Sequence, residues 1–324
     1  MQILVTGGAG YIGSHTVREL LIKRYKVVIL DNLSRGHMES VPEIAIFEKA
    51  DLLDIESLRS VFRKYNFDAV IHFAAFAYVG ESVEKPEMYY QNNVVGSFNL
   101  INVANEFGIK KFVFSSTCSI YGNPKKVPIS EEQLSAPINP YARTKLMIEN
   151  ILNDFDTSHG LKYVALRYFN ASGDSDDGMI GESHDPEPHL IPLVLYAALG
   201  KKDKIKIYGD DYPTKDGTCV RDYIHVNDLA DAHIRALEYL KSNNNSTIIN
   251  IGTGEGYSVK EIIDMSKEIT GINIKQEIIE RRAGDPAVLI ADNKKAKEVL
   301  GWTPKYDLRK TIQTAWNWHK NQKY

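Results

Sequence analysis

The chain has 324 residues, a net charge of −3 and two cysteines, and its charged residues (25%) mix both signs along the whole length. That length holds about two domains, or one large α/β unit with an appended lobe. The composition offers no basic face for nucleic acid, no polybasic membrane anchor and no apolar run of membrane-span or signal-peptide length, so a cytoplasmic protein without nucleic-acid or membrane partners is expected. Cys118 and Cys219 are too few for a disulfide framework or a metal site and read as reduced thiols; no metal is expected.

An apolar strand at Gln2–Val5 leads into Val5-Thr6-Gly7-Gly8-Ala9-Gly10-Tyr11-Ile12-Gly13, which opens a helix running to about Arg24. A second strand, Lys26–Leu30, ends on Asp31. A bare glycine cluster suits a tight turn as well as a ligand. Here it lies between strand and helix with an acid about twenty residues on, the context of a dinucleotide fingerprint. Glycines let the backbone approach a pyrophosphate, whose charge is stabilised by the unpaired N–H groups and positive dipole end of the helix. Gly10 and Gly13 serve that approach and close helix–sheet packing. Asp31 accepts from ribose hydroxyls and repels a 2′-phosphate, which favours NAD over NADP. Arg35 is the one nearby cation that argues the other way.

Further strands are predicted at Ile44–Phe47, Ala69–His72, Lys111–Ser115 and Tyr163–Arg167, with helices between most of them. Alternation of this kind gives an α/β fold, a Rossmann-type doubly wound parallel sheet, over residues 1–170. Helices around Val94–Phe107 and Pro140–Phe155 follow strands on one side of that sheet. Met147, Ile148, Ile151, Leu152 and Phe155 form an apolar band wide enough for the sheet and a neighbouring molecule, which predicts a homodimer. The Gly-, Ser-, Asp- and Pro-rich stretch Ala171–His189 reads as a long surface loop. Helices return at Pro192–Leu199, Asn227–Leu240, Ser258–Ile269, Lys294–Leu300 and Leu308–Trp318, and a strand at Thr247–Ile251 rejoins the first sheet. Residues 223–251 therefore return to the first unit, while 171–222 and 252–324 make a smaller α/β substrate-binding lobe.

Asn139 and Pro140 suit the N-cap and first turn of a helix on which Tyr141 and Lys145 share a face. A tyrosine acting as a base must fall from ~10 toward ~7, roughly 4 kcal/mol of preferential phenolate stabilisation. An ammonium about 4 Å away supplies most of that at an effective dielectric of about 20, and a positive nicotinamide ring the rest. Tyr121/Lys125 and Tyr306/Lys310 repeat the spacing, but Gly122 and Pro124 break the first, and the second lies far from the cofactor strands. Only Tyr141/Lys145 follows a strand ending in hydroxyls, Ser115-Ser116-Thr117, where a ligand of an open sheet meets it.

With these motifs, Asp31-Asn32-Leu33, His72-Phe73-Ala74-Ala75, Tyr90–Val94, Leu166–Asn170 and Gly217–Val226 complete a pattern that resembles the extended short-chain dehydrogenase/reductases. Within them the chain is similar, nearly end to end, to the epimerases of UDP-hexoses, most specifically over Asp216–Val226. The resemblance implies NAD-dependent interconversion of UDP-galactose and UDP-glucose. The hydride leaves C4, the 4-ketose turns over, and the hydride returns to the other face. It makes Tyr141 the base, Thr117 the hydrogen-bond partner of the 4-oxygen and Lys145 a holder of the nicotinamide ribose. It implies cofactor contacts from Gly7, Gly10, Tyr11, Ile12, Gly13, Asp31, Asn32, Ser34, Asp51, Leu52, Phe73, Ala74, Ala75, Ala77, Asn92 and Phe169. Asn170, His189, Leu190, Lys206, Tyr208, Arg221, Arg282, Asp285 and Leu289 correspond to substrate contacts. Its counterparts of the two helices form an intersubunit bundle, which again implies a homodimer.

Three positions depart from the pattern: His189 replaces a frequent asparagine, Ala77 a longer polar residue, and Leu289 a tyrosine that limits the C2 substituent. The last implies activity on UDP-N-acetylhexosamines (UDP-N-acetylglucosamine and UDP-N-acetylgalactosamine) as well. Two alternatives stay open. A 4,6-dehydratase or decarboxylase on the same scaffold needs an acid after the catalytic hydroxyl, where Cys118 and Ser119 stand, and a non-catalytic NAD sensor should lack the tyrosine–lysine pair or the arginines.

Overall fold

The computed structural model describes residues 1–282 and 285–324. Strands β1 (Gln2–Thr6), β2 (Lys26–Asp31), β3 (Ile46–Lys49), β4 (Ala69–His72), β5 (Lys111–Thr117) and β6 (Lys162–Tyr168) form one sheet with Thr247–Ile251. The order is Thr247–Ile251, β6, β5, β4, β1, β2, β3, with every neighbouring pair parallel. The strands read as unbroken Val/Ile/Leu runs because both faces are covered: Ile3, Leu4, Val5, Val70 and Ile71 are all fully buried. Helices Tyr11–Ile22 and Val226–Ser242 bury their apolar stripes on one face, with Trp302. Ile55–Lys64, Gly96–Glu106 and Pro140–His159 cover the other.

Strand order reverses at β1, which pairs with β2 on one side and β4 on the other. At that switch point crossovers depart to opposite faces and leave a crevice beyond the carboxyl ends of the strands. The first helix stops at Ile22, two residues early, because Arg24 turns to a left-handed φ of 63°. β3 begins at Ile46 rather than Ile44, which is 80% exposed and lies outside the pairing with β2 that starts at Val28 and Ile46.

A smaller core lies over the carboxyl edge of the sheet, formed by helices Leu190–Ala198, Val259–Thr270 and Leu308–Lys320 with the parallel pair Ile205–Tyr208 and Gln276–Ile279. The stretch Ala171–His189 corrects the expectation of a surface loop. Asn170–Ser172 pairs in parallel with Tyr223–His225, and Ser172, Asp174, Ser175, Ile180 and Glu182 are buried. Its polar groups pair internally: Ser175 Oγ accepts from the Met179 and Ile180 N–H groups and donates to the Ile180 carbonyl. Small polar residues here satisfy a buried backbone rather than marking solvent.

Candidate active site

Gly7 lies at φ 72°, and an added Cβ would stand 2.5 Å from the Ala74 nitrogen; at Gly13 it would stand 2.2 Å from the Gly7 carbonyl oxygen. These two glycines bring loop, helix and β4 together. At Gly10 a Cβ would meet only the Gly7 oxygen, at 3.3 Å, so protein packing alone does not require glycine there. Gly10 is also the N-cap of helix Tyr11–Ile22 and makes no side-chain cap, which leaves the first-turn N–H groups directed at the crevice. Asp31 accepts from the Ala9 N–H (3.1 Å) and the Leu33 N–H (2.8 Å). Burial raises its carboxyl and those two bonds pull it back. Asn32 donates to Asp51 at 2.9 Å and accepts from the Ser34 N–H. Arg35 does not offer its charge to a ligand: Glu81 holds it at 2.8 Å, over the Tyr78 ring.

Every residue proposed above as a catalytic, cofactor or substrate contact lines one cavity of about 1080 Å³. A glycine cradle with unpaired N–H groups at the β1 end, followed by a carboxylate at the end of β2, fits a dinucleotide. Within this cavity Tyr11 directs its hydroxyl to the Gly173 carbonyl, so what it can offer a cofactor is its backbone N–H. Asn92 donates to Asn93, and Asn93 in turn ties the Phe76 backbone to Thr144.

Asn139 caps its helix as expected, accepting from the Ala142 N–H at 2.8 Å. Tyr141 and Lys145 are both buried on one face beside the hydroxyl-ended β5. The electrostatics differ from the sequence expectation. Lys145 Nζ donates to the Ser115 carbonyl (2.8 Å) and lies 6.0 Å from the centre of the Tyr141 ring. Burial pushes Lys145 down to about 7, with Glu149 opposing. Burial also holds the Tyr141 phenol well above its usual range, against a hydrogen bond with Thr117 that lowers it. Desolvation is the leading influence on both groups, and Lys145 is not among the charges that shift the Tyr141 phenol. Thr117 Oγ1 caps the turn Cys118–Tyr121 by accepting from the Ser119 N–H at 3.2 Å.

Sequence reasoning missed Glu149. It continues the face of Tyr141 and Lys145 at the same four-residue step and forms a buried ion pair with Arg167 (Nε to Oε1, 2.9 Å), with Ser116 on the same oxygen. The spacing was available, but Arg167 as its partner was not.

At the other end of the cavity, Arg221 is nearly buried and paired with Asp285, and Arg282 is exposed with its guanidinium 3.8 Å from the centre of the Tyr208 ring. Lys206 is exposed on the adjoining strand, and Leu190 begins helix Leu190–Ala198. His189 is engaged by Glu182 and Glu187; burial alone would depress it, but the two carboxylates hold it up to about 10. Asn170 donates to the Asp222 carbonyl at 3.0 Å. Asp222 explains much of the distinctive segment around it: its carboxylate accepts from Thr253, Gly254 and Ala291, locking the loop after the last sheet strand. Leu289 packs against the small cluster of Cys118, Tyr121, Ile129, Phe169 and Ala291, and Ala77 is exposed at the rim.

A family model described as the NAD dependent epimerase/dehydratase family matches residues 3–252. A Lacticaseibacillus casei protein named UDP-glucose 4-epimerase is 52% identical over 322 residues, 99% of this chain and 97% of its own length. A crystal structure of UDP-glucose 4-epimerase from Brucella ovis in complex with NAD superposes with a TM-score of 0.95 at 49% identity, covering 97% of each chain. The UDP-Glc/GlcNAc 4-epimerase of Campylobacter jejuni gives 0.87 at 44% identity, covering 98% of this chain and 99% of its own.

Proposed function

The chain belongs to the NAD dependent epimerase/dehydratase family, and from that premise we infer that it is an isomerase interconverting UDP-galactose and UDP-glucose, with NAD as cofactor. The observation that supports this best is that Tyr141, Thr117 and Lys145 line one cavity together with the glycine loop Gly7–Gly13 and with Arg221 and Arg282. The chemistry that NAD would supply when bound is reversible hydride acceptance from the sugar C4. Gly7, Gly10, Gly13 and the first helical turn would hold its pyrophosphate and Asp31 its adenosine ribose.

Tyr141 Oη, in its phenolate form, accepts the proton of the sugar 4-hydroxyl and returns it after the hexose has turned over. Thr117 Oγ1 hydrogen-bonds the same oxygen and supports the phenolate. Lys145, anchored on the Ser115 carbonyl, holds the nicotinamide ribose and supplies positive charge to a site whose burial opposes the phenolate. Arg221 and Arg282 meet the UDP phosphates, where guanidinium forks pair oxygens bidentately. Glu149 fixes Arg167 and Ser116 behind the reacting groups and is a positioning residue.

Incubation with UDP-galactose tests this reading. UDP-glucose without net NADH is expected; a 4-keto-6-deoxy product would assign a dehydratase, and binding without turnover a sensor. Leu289 lines the cavity with a side chain smaller than a tyrosine, which supports room for an N-acetyl group at the sugar C2 and UDP-N-acetylhexosamines as further substrates.

The homodimer rests on the outer face of two helices. In the predicted band Ile148 and Leu152 are fully buried in the chain's own core and Ile151 and Phe155 are partly buried, while Met147 is exposed together with Val95 and Phe98. Sedimentation at micromolar concentration should give twice the chain mass. Among the described residues no helix is long and apolar enough to cross a membrane, and we place the protein in the cytoplasm.

A further inference from the structure

Glu182, His184, Glu187 and His189 lie in one short stretch ahead of helix Leu190–Ala198, and each brings a donor atom within 4.8 Å of all the others. His184 Nδ1 lies 3.3 Å from Glu182 and 3.4 Å from Glu187; His189 Nδ1 lies 2.7 Å from Glu182 and 2.8 Å from Glu187. A ring nitrogen carries one proton, which can serve one acceptor well, yet two carboxylates approach each of these nitrogens. The contact from His189 to Glu187 has hydrogen-bond geometry. Glu182 Oε1, Glu187 Oε2 and His184 Nδ1 are buried without a hydrogen-bond partner, and both glutamate side chains are only 3% exposed.

The charge balance points the same way. Asp174, also buried, keeps Oδ2 unpaired beside the two glutamates. Among the described residues, no lysine or arginine forms an ion pair with Asp174, Glu182 or Glu187. Among the described residues, the only side chains able to balance the charge of Glu182 and Glu187 at contact distance are therefore the two histidines.

We propose that Glu182, His184, Glu187 and His189 form a closed, tetrahedral site for a divalent transition-metal cation, with zinc the ion its two imidazoles and two carboxylates suit best. Donors at about 2.0–2.1 Å from a tetrahedral zinc stand about 3.3 Å apart, the separation found around His184, and the shorter contacts of His189 would open by about 0.5 Å to admit the ion. Magnesium and calcium prefer shells of six or more oxygens, which two imidazoles do not supply. All four positions are filled by the chain, so the ion is structural and stands outside the epimerisation. Its effect is to hold this segment against the cavity wall, where the His184 ring meets those of Tyr11 and Tyr78 edge-on. The sequence expectation of no metal weighed only the cysteines and overlooked the spacing Glu-x-His-x-x-Glu-x-His.

The test uses the full chain without a polyhistidine tag, expressed with added zinc, desalted and assayed for bound metal. About one zinc per chain is expected, removable by a strong chelator and regained on titration against a chromophoric zinc chelator, with a rise in melting temperature. Absorption at the zinc edge should show four nitrogen or oxygen neighbours at about 2.0 Å. His184→Ala and Glu187→Gln should each reduce bound zinc to roughly a tenth or less. If His184→Ala does not fold, Glu187→Gln, which keeps the side-chain shape, carries the comparison. A parent chain that binds no zinc at micromolar concentration, or variants that bind as much as the parent, would overturn the site and leave a pair of charged histidines holding the carboxylates.

Discussion

Alanine at Gly10 and alanine at Gly13 should fail in different ways, and the difference isolates the ligand from the fold. At Gly13 the new Cβ would sit 2.2 Å from the Gly7 oxygen and 3.0 Å from the Gly8 Cα. Both are backbone atoms that cannot rotate away, so helix and loop must separate at a cost of about 1–3 kcal/mol in stability. At Gly10 the backbone (φ −84°, ψ 176°) accepts alanine, and the one close atom is 3.3 Å away. The fold should change there by about 1 kcal/mol or less. The methyl group instead occupies the face through which a pyrophosphate reaches the first-turn N–H groups. A tenfold or greater loss of NAD affinity is expected, about 1.4 kcal/mol. Denaturant melts of cofactor-free protein measure the first quantity, and fluorescence titration with NAD the second. Parent-like NAD affinity in Gly10→Ala, or equal losses of stability in the two variants, would refute the reasoning.

Tyr141→Phe should retain NAD and lose about 10³-fold or more in turnover, while Thr117→Val, which removes a hydrogen bond and not the proton acceptor, should lose less; the reverse order in steady-state rates would exchange their roles. Leu289→Tyr should suppress turnover of UDP-N-acetylgalactosamine and spare UDP-galactose, and parallel loss of both would mean that this side chain is not the gate. Glu149→Gln leaves Arg167 buried without its counter-charge and should cost about 3–5 kcal/mol, read from the urea midpoint. Burial holds His15, His233 and His319 down at about 4 and His72 and His225 at about 3. The folded state then binds fewer protons than the unfolded state below pH ~6.5, so stability present above that pH is lost as pH falls toward the folded values, by up to about 1.4 kcal/mol per group per pH unit. Thermal melts between pH 7 and 5 check this, and a flat profile would contradict it.

The elements that position the site were legible because their signals are local. The glycine loop, the acid ending β2, the N-cap at Asn139 and the four-residue step from Tyr141 to Lys145 each depend on neighbours within a few turns or one strand–helix unit. The alternation of apolar runs with helices carried the parallel sheet for the same reason, and Thr247–Ile251 could be returned to it because its run matches the others. What burial does to a charge was not legible. Lys145 and Tyr141 stand on one face as their spacing requires, but desolvation of both, not attraction between them, governs their protonation. Pairings across long separations, Arg35 with Glu81 and Arg167 with Glu149, were equally hidden, since any arginine could have met any acid. The polar stretch after Asn170 looked like solvent-facing loop because composition records which groups need partners but not where those partners are. The tertiary structure alone brings Gly173 to Tyr11, because desolvation and the convergence of distant positions are properties of the packed chain and not of any segment of it.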